Sequence, residues 1–225
     1  MAYTLRSSPR ARSVSLMIRP DTGLVVTAPI GYPQGRLEWF LRRHERWISA
    51  QLERIAAIAA RIPKRWPYGD TLLYRGDAHR VVVEEAGEMP GVVRTPQRTL
   101  LVRIRRPGLE GARRLLKRWF VQEAQRWLGE RTAALGRALG IEWRRIRIRD
   151  ARSRWGSCSA HGCLTFNYRL VMAPDPVMEY VVLHELMHRR ELNHSAQFWS
   201  LVSAQCPAYR ASIAWLKTDG LYLSL

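Results

Sequence analysis

With 225 residues, 47% of them hydrophobic, the chain can bury one substantial core, alone or with a small accessory lobe, but not two large independent domains. Its 37 basic and 19 acidic side chains give a net charge of +18, which draws a protein toward nucleic acid, anionic membrane or acidic polypeptide; only Lys64, Lys117 and Lys217 are lysine, so an arginine-rich coding bias explains the charge equally well. Residues 1–15 lack a following apolar stretch, no run approaches the roughly 20 apolar residues of a membrane span, and Cys158, Cys163 and Cys206 are too few for a disulfide framework, so a cytoplasmic protein with no membrane association is expected.

Alternation over Val14 to Ile18 and Leu24 to Thr27, around Asp21-Thr22-Gly23, predicts a β-hairpin closed by the segment Pro29 to Pro33. From Arg36 to Ile62 apolar residues recur every three to four positions, predicting one amphipathic helix that Pro63 and Pro67 end. Short strands are predicted over 72–74, 80–84 and 99–104, with a loop over 85–97. Residues 109–139 form a long helical pattern, and Gly140 is its natural stop.

Residues 143–149 alternate isoleucine with arginine, so a strand there buries Ile146 and Ile148 and exposes Arg145, Arg147 and Arg149. A second strand is predicted from Cys163 to Leu170, then a helix from Val177 to Leu192 with prolines in its first turn, and a last helix from Ser195 to Leu216.

The segment His184-Glu185-Leu186-Met187-His188 carries the strongest signal. Residues four apart lie on one helix face, so both imidazoles reach a single ion while Glu185, about 100° around the helix, stands beside them as a base for a bound water. A catalytic zinc site uses three protein ligands and keeps one position open. His194 is the natural third ligand at the spacing of HExxHxxGxxH zincins, although Glu191 occupies the glycine slot. A continued helix would carry His194 about 120° off the binding face, so the helix must end first; Asn193 in the left-handed conformation can end it, and Ser195 can cap the next helix.

The segments Arg154-Trp155-Gly156-Ser157-Cys158-Ser159, Gly162 to Leu170, Tyr180 to His188 and Asn193-His194-Ser195 with Phe198-Trp199 resemble the YgjP-like metallopeptidase family, distantly related to SprT-like zincins. The resemblance is specific over about residues 149–199, and the N-terminal hairpin and the helix containing Trp47-Ile48 share it. It implies a zincin fold with one zinc ion on His184, His188 and His194, and Glu185 as catalytic base. The expected architecture is α+β, with the HExxH helix beside a small sheet. Residues 1–106 are expected to form a β-rich region with one long helix, packed on a catalytic region over 107–225.

The expected activity is peptide-bond hydrolysis of a peptide or protein substrate by a metal-activated water. Tyr180, one turn before His184, is a candidate oxyanion donor, with Tyr168 and Arg154 behind it; a structural role is the competing reading of Tyr180. Asn167 and Arg154 are candidate substrate contacts, and the strand 163–170 could pair with an extended peptide; closing a local hydrogen bond is the competing role of Asn167. Cys158, His161 and Cys163 raise a second metal site that lacks a nearby fourth ligand. The alternative function is a nucleic-acid-associated zinc protein, or a protease acting on nucleic-acid-bound proteins; Glu185 argues against a purely structural zinc, which needs no base. Nothing in the sequence fixes an oligomeric state.

Overall fold

The computed structural model describes residues 2–19, 22–61, 67, 70–86, 89–106, 108–151 and 154–223. The chain divides into two units, Met1–Pro63 and Lys64–Leu225.

In the first unit β1 (Thr4–Ser8), β2 (Ser15–Arg19) and β3 (Gly23–Pro29) form a sheet of order β1-β3-β2. The predicted hairpin is β2–β3, antiparallel with Ser15 opposite Thr27, and Gly23 takes φ 64° where its strand begins; Asp21 lies outside the described residues. Strand β1, parallel to β3, is an addition to the sequence reading: its residues are mostly exposed, so no apolar alternation marks it. The helix expected over 36–62 is two, α1 (Gln34–Arg43) and α2 (Glu45–Arg61), separated at His44. His44 caps α1, its N–H reaching Phe40 O at 3.2 Å and its Nδ1 lying 2.8 Å from the same carbonyl, and its own carbonyl accepts from Ile48 N at 2.9 Å in the first turn of α2. Leu24, Val26, Leu37 and Ile48 make a small core. Pro63 lies outside the described residues.

The second unit starts with β4 (Thr71–Tyr74), β5 (Asp77–Glu85), β6 (Gly91–Arg94) and β7 (Thr99–Ile104), in the order β4-β5-β7-β6. Strand β6 lies inside the predicted loop, where four half-exposed residues give no period to read. Helix α3 (Leu109–Leu139) has the predicted bounds and buries every fourth residue from Ala112 to Gly136; Gly140 closes it at φ 62°. Leu72, Leu100, Val102 and Ile104 share one core with Leu116, Phe120 and Leu128 of α3. For that reason the four-stranded sheet falls with the second unit, and the division comes before residue 64, where the sequence reading had set it at 106.

Three further strands, β8 (Arg145–Arg149), β9 (Gly156–Cys158) and β10 (Cys163–Asn167), form a sheet of order β8-β10-β9. Arg145 and Arg149 are exposed as expected, while Ile146, Arg147 and Ile148 are all half-buried. The strand predicted to reach Leu170 ends at Asn167 and passes into a 3₁₀ turn, Tyr168–Met172. Helix α4 (Asp175–Met187) follows, apolar almost all round and buried accordingly, with Pro176 in its first turn. The predicted last helix is split into α5 (Ala196–Gln205) and α6 (Tyr209–Lys217) at Cys206-Pro207, where proline has no N–H for the ladder. The fold is mixed α+β, with the HExxH helix beside a small sheet. Among the described residues no helix is long and apolar enough to cross a membrane.

Candidate metal centre

His184 and His188 stand one turn apart at the C-terminal end of α4, which stops at Met187, with His188 as its last helical cap. The helix ends five residues earlier than the sequence predicted. Arg189 N bonds to Leu186 O and Arg190 N to Met187 O, tightening the last turn, and Asn193 is absent from the residues of positive φ. The expected left-handed Asn193 is therefore not what breaks the helix; six residues of turn carry His194 back instead. Ser195 does cap α5, its Oγ accepting from Phe198 N at 3.2 Å.

Ligand-capable atoms of His184, His188 and His194 all lie within 4.8 Å of one another, and the Nε2 atoms of His184 and His194 are 3.0 Å apart. Two imidazole nitrogens bound to one tetrahedral zinc lie about 3.4 Å apart, so this spacing fits an ion between them. The outer nitrogens sort the tautomers. His188 Nδ1 donates to Glu191 O at 3.1 Å, and His184 Nδ1 lies 3.2 Å from the Tyr180 hydroxyl, which leaves both Nε2 atoms for a metal. Glu191, standing where related motifs have glycine, gives its carbonyl to His188 and its carboxylate to Asn193 N at 3.3 Å.

Burial, then the neighbouring His188 and His194, pushes His184 down to about 3, and burial also lowers His188. Both rings are therefore neutral near pH 7, the form that binds metal. Glu185 is 5% exposed, and its Oε2 has no hydrogen-bond partner among the described residues. Burial raises its carboxyl to about 8 against the opposing pull of Arg154. A buried carboxylate oxygen left without a partner, beside three converging imidazoles, is what a site for a metal and its water requires.

Glu185 lies against the backbone of β9. A Cβ placed on Gly156 would meet Glu185 Oε1, and would come within 2.7 Å of Cγ and 2.8 Å of Cδ. Gly156 is thus part of the cradle, a residue that sequence rules do not connect to the HExxH helix although it stands in the Arg154 to Ser159 segment.

The remaining predicted residues divide. Arg154 is exposed just before β9, and its charge reaches Glu185. Tyr180 is buried with its hydroxyl on His184, and burial raises its phenol well above the ordinary value. Asn167 is buried and uses its side chain on the chain itself: Nδ2 donates to Ala151 O at 2.7 Å and Arg154 O at 3.3 Å, and Oδ1 accepts from Arg169 N at 3.1 Å. Tyr168 lies in the core beneath the Arg169 guanidinium. Strand β10 has β8 on one side and β9 on the other, so it has no edge to offer a peptide; β9 is the edge strand next to α4. Among the described residues the three histidines form the only metal-capable group, so Cys158, His161 and Cys163 do not make a second one.

A family model described as "YgjP-like, metallopeptidase domain" matches residues 12–219. Two solved structures share a local likeness. The metallopeptidase zymogen of Pyrococcus abyssi abylysin is 21% identical, covering 41% of this chain and 93% of that one, with a TM-score of 0.38. For the metallopeptidase zymogen of Methanocaldococcus jannaschii jannalysin the values are 22%, 39%, 93% and 0.34. Among curated proteins none matches the chain.

Proposed function

Because the chain belongs to the YgjP-like metallopeptidase family, we propose that it is a zinc-dependent peptidase, with one ion per chain on His184, His188 and His194 and with Glu185 as general base. The observation that carries the reading is the convergence of three imidazoles beside a buried carboxylate oxygen that has no partner.

When bound, zinc supplies a water of pKa around 7 and polarisation of the scissile carbonyl. Glu185 takes the water proton on its open oxygen and hands it to the leaving amine. Burial raises its proton affinity toward the working pH, which suits both halves of that transfer. Tyr180, with its hydroxyl on His184 Nδ1, orients that ring. An extended substrate adds to the outer edge of β9, alongside Glu185, and Arg154 at the start of that strand meets it.

Zinc content and cleavage of a denatured protein by wild type and Glu185→Gln test the proposal. The expected result is stoichiometric zinc in both and cleavage by wild type alone; a metal-free preparation that cleaves, or equal cleavage by the two, overturns it. A second reading, action on proteins bound to nucleic acid, is favoured by Arg145, Arg147 and Arg149 on the β8 edge, which have no ion pair among the described residues. It requires binding that weakens steeply as salt rises; flat or absent binding removes it.

A further inference from the structure

We propose that Trp199 and Tyr209 are positioning residues that hold His194, the exposed ligand, by stacking, in place of a hydrogen bond to its outer nitrogen. The inference rests on the zinc site proposed above and adds two residues to its support.

The three ligands are supported unequally. His184 has the Tyr180 hydroxyl on its outer nitrogen and His188 has the Glu191 carbonyl; His194 has no such partner among the described residues, and it stands exposed in a turn. Partners of this kind fix the ring orientation of metal-binding histidines, so His194 needs another device. Its ring stacks on Trp199, with centroids 5.7 Å apart and planes at 26°, while Phe198 meets it edge-on at 4.9 Å. Trp199 stacks in turn on Tyr209 at 5.3 Å and 22°, and Tyr209 on Tyr180 at 6.5 Å and 26°. Since Tyr180 bonds His184, whose Nε2 faces that of His194, the contacts close a circuit through α4, α5 and α6.

The fold supplies this arrangement through the break after α5. Ten residues along an unbroken helix would set Trp199 and Tyr209 about 15 Å apart. The turn at Cys206, with φ −139° and ψ 79°, returns the chain and lays Tyr209 against Trp199. Trp199 thereby stacks with both a ligand and a tyrosine.

Zinc affinity, measured by competition with a chromophoric chelator well below the melting temperature, tests the proposal with Trp199→Ala, Trp199→Leu, Trp199→Phe and Tyr209→Ala. Loss of such support costs metal sites about 10- to 100-fold in affinity. Trp199→Ala and Trp199→Leu should weaken zinc binding at least tenfold, and Trp199→Phe, which keeps a stacking face, should restore most of the loss. Tyr209→Ala, which touches no ligand, should weaken binding in wild type and have a smaller effect once Trp199 is alanine. The cobalt-substituted protein should lose tetrahedral visible absorption in Trp199→Ala and regain it in Trp199→Phe. A purely structural role lowers the melting temperature and leaves affinity and spectrum in place, and that outcome overturns the proposal, as does Leu performing as well as Phe. Wild type that binds no zinc removes the metal reading itself; wild type and Trp199→Ala that bind zinc equally remove this inference alone.

Discussion

Gly156→Ala tests how the Glu185 carboxylate is held. The backbone of Gly156 is not in the left-handed region, so alanine imposes no strain of its own. The added methyl would lie 2.7 Å from Glu185 Cγ, where ordinary contact begins near 3.4 Å, so the side chain must retreat by about 0.7 Å or more. The carboxylate yields because it is the free end of a side chain whose Oε2 nothing else fixes. A displacement near 1 Å costs a positioned catalytic group on the order of 100-fold in rate. The three atoms nearest the new methyl all belong to Glu185, so zinc should stay. The assay is kcat/KM on an unstructured peptide with zinc content measured on the same preparation. A loss of about 100-fold with full zinc is expected; activity within threefold of wild type with full zinc would refute the idea that β9 sets the position of Glu185.

The raised carboxyl of Glu185 also acts on stability. Its pKa goes from an ordinary 4.5 to about 8 on folding, so the metal-free protein takes up a proton as it folds, is favoured below about pH 4.5, and loses that advantage as pH rises through about 8. Metal-free Glu185→Gln should therefore gain on wild type between pH 5 and 8 in urea denaturation, by at most on the order of 5 kcal/mol, and a difference independent of pH would count against it. Tyr180→Phe should weaken zinc binding about tenfold by leaving His184 Nδ1 without a partner; unchanged affinity with a lower kcat would point to an oxyanion role instead. Asn167→Ala should cost about 2–3 kcal/mol in denaturant unfolding through three lost hydrogen bonds, with KM little changed, and a KM effect without destabilisation would return Asn167 to the cleft.

Where local chemistry decides a structure, the sequence was readable. Helix α3 has an apolar stripe and a terminal glycine and appears at the predicted bounds; Ser195 caps α5 as its side chain allows. Four-residue spacing placed His184 and His188 on one face for the same reason. Strands β1, β6 and β9 were missed because three to five partly exposed residues show no period. Pro207 was a visible signal for the break between α5 and α6, whereas the break at His44 has neither proline nor glycine to announce it. The contact of Gly156 with Glu185 joins residues that only the fold brings together, and the edge strand beside α4 is β9 and not β10 because strand order is a tertiary property.

The positive charge can now be divided by what the arginines touch. Arg189 donates to Glu142 O and Ala160 O, and Arg190 to Leu139 O, tying the end of α4 to the end of α3 and to the β9–β10 turn. Arg75 pairs with Asp175 at the start of α4, and Arg169 and Lys117 share Asp150. Charges used in this way belong to the scaffold and weaken the argument from net charge to a polyanionic partner. Arg145, Arg147 and Arg149 are different: they line β8, the edge opposite β9, with β10 between. Two strand spacings put those edges roughly 9–10 Å apart, so a peptide added to β9 does not run along the arginine edge. Any polyanion held at β8 would therefore recruit a substrate without occupying its cleft. Replacing the three arginines with glutamine should abolish salt-dependent nucleic-acid binding and leave cleavage of a free peptide unchanged. Loss of peptide cleavage in that variant would mean that the two edges act as one surface, and the division of charge argued from their contacts would be wrong.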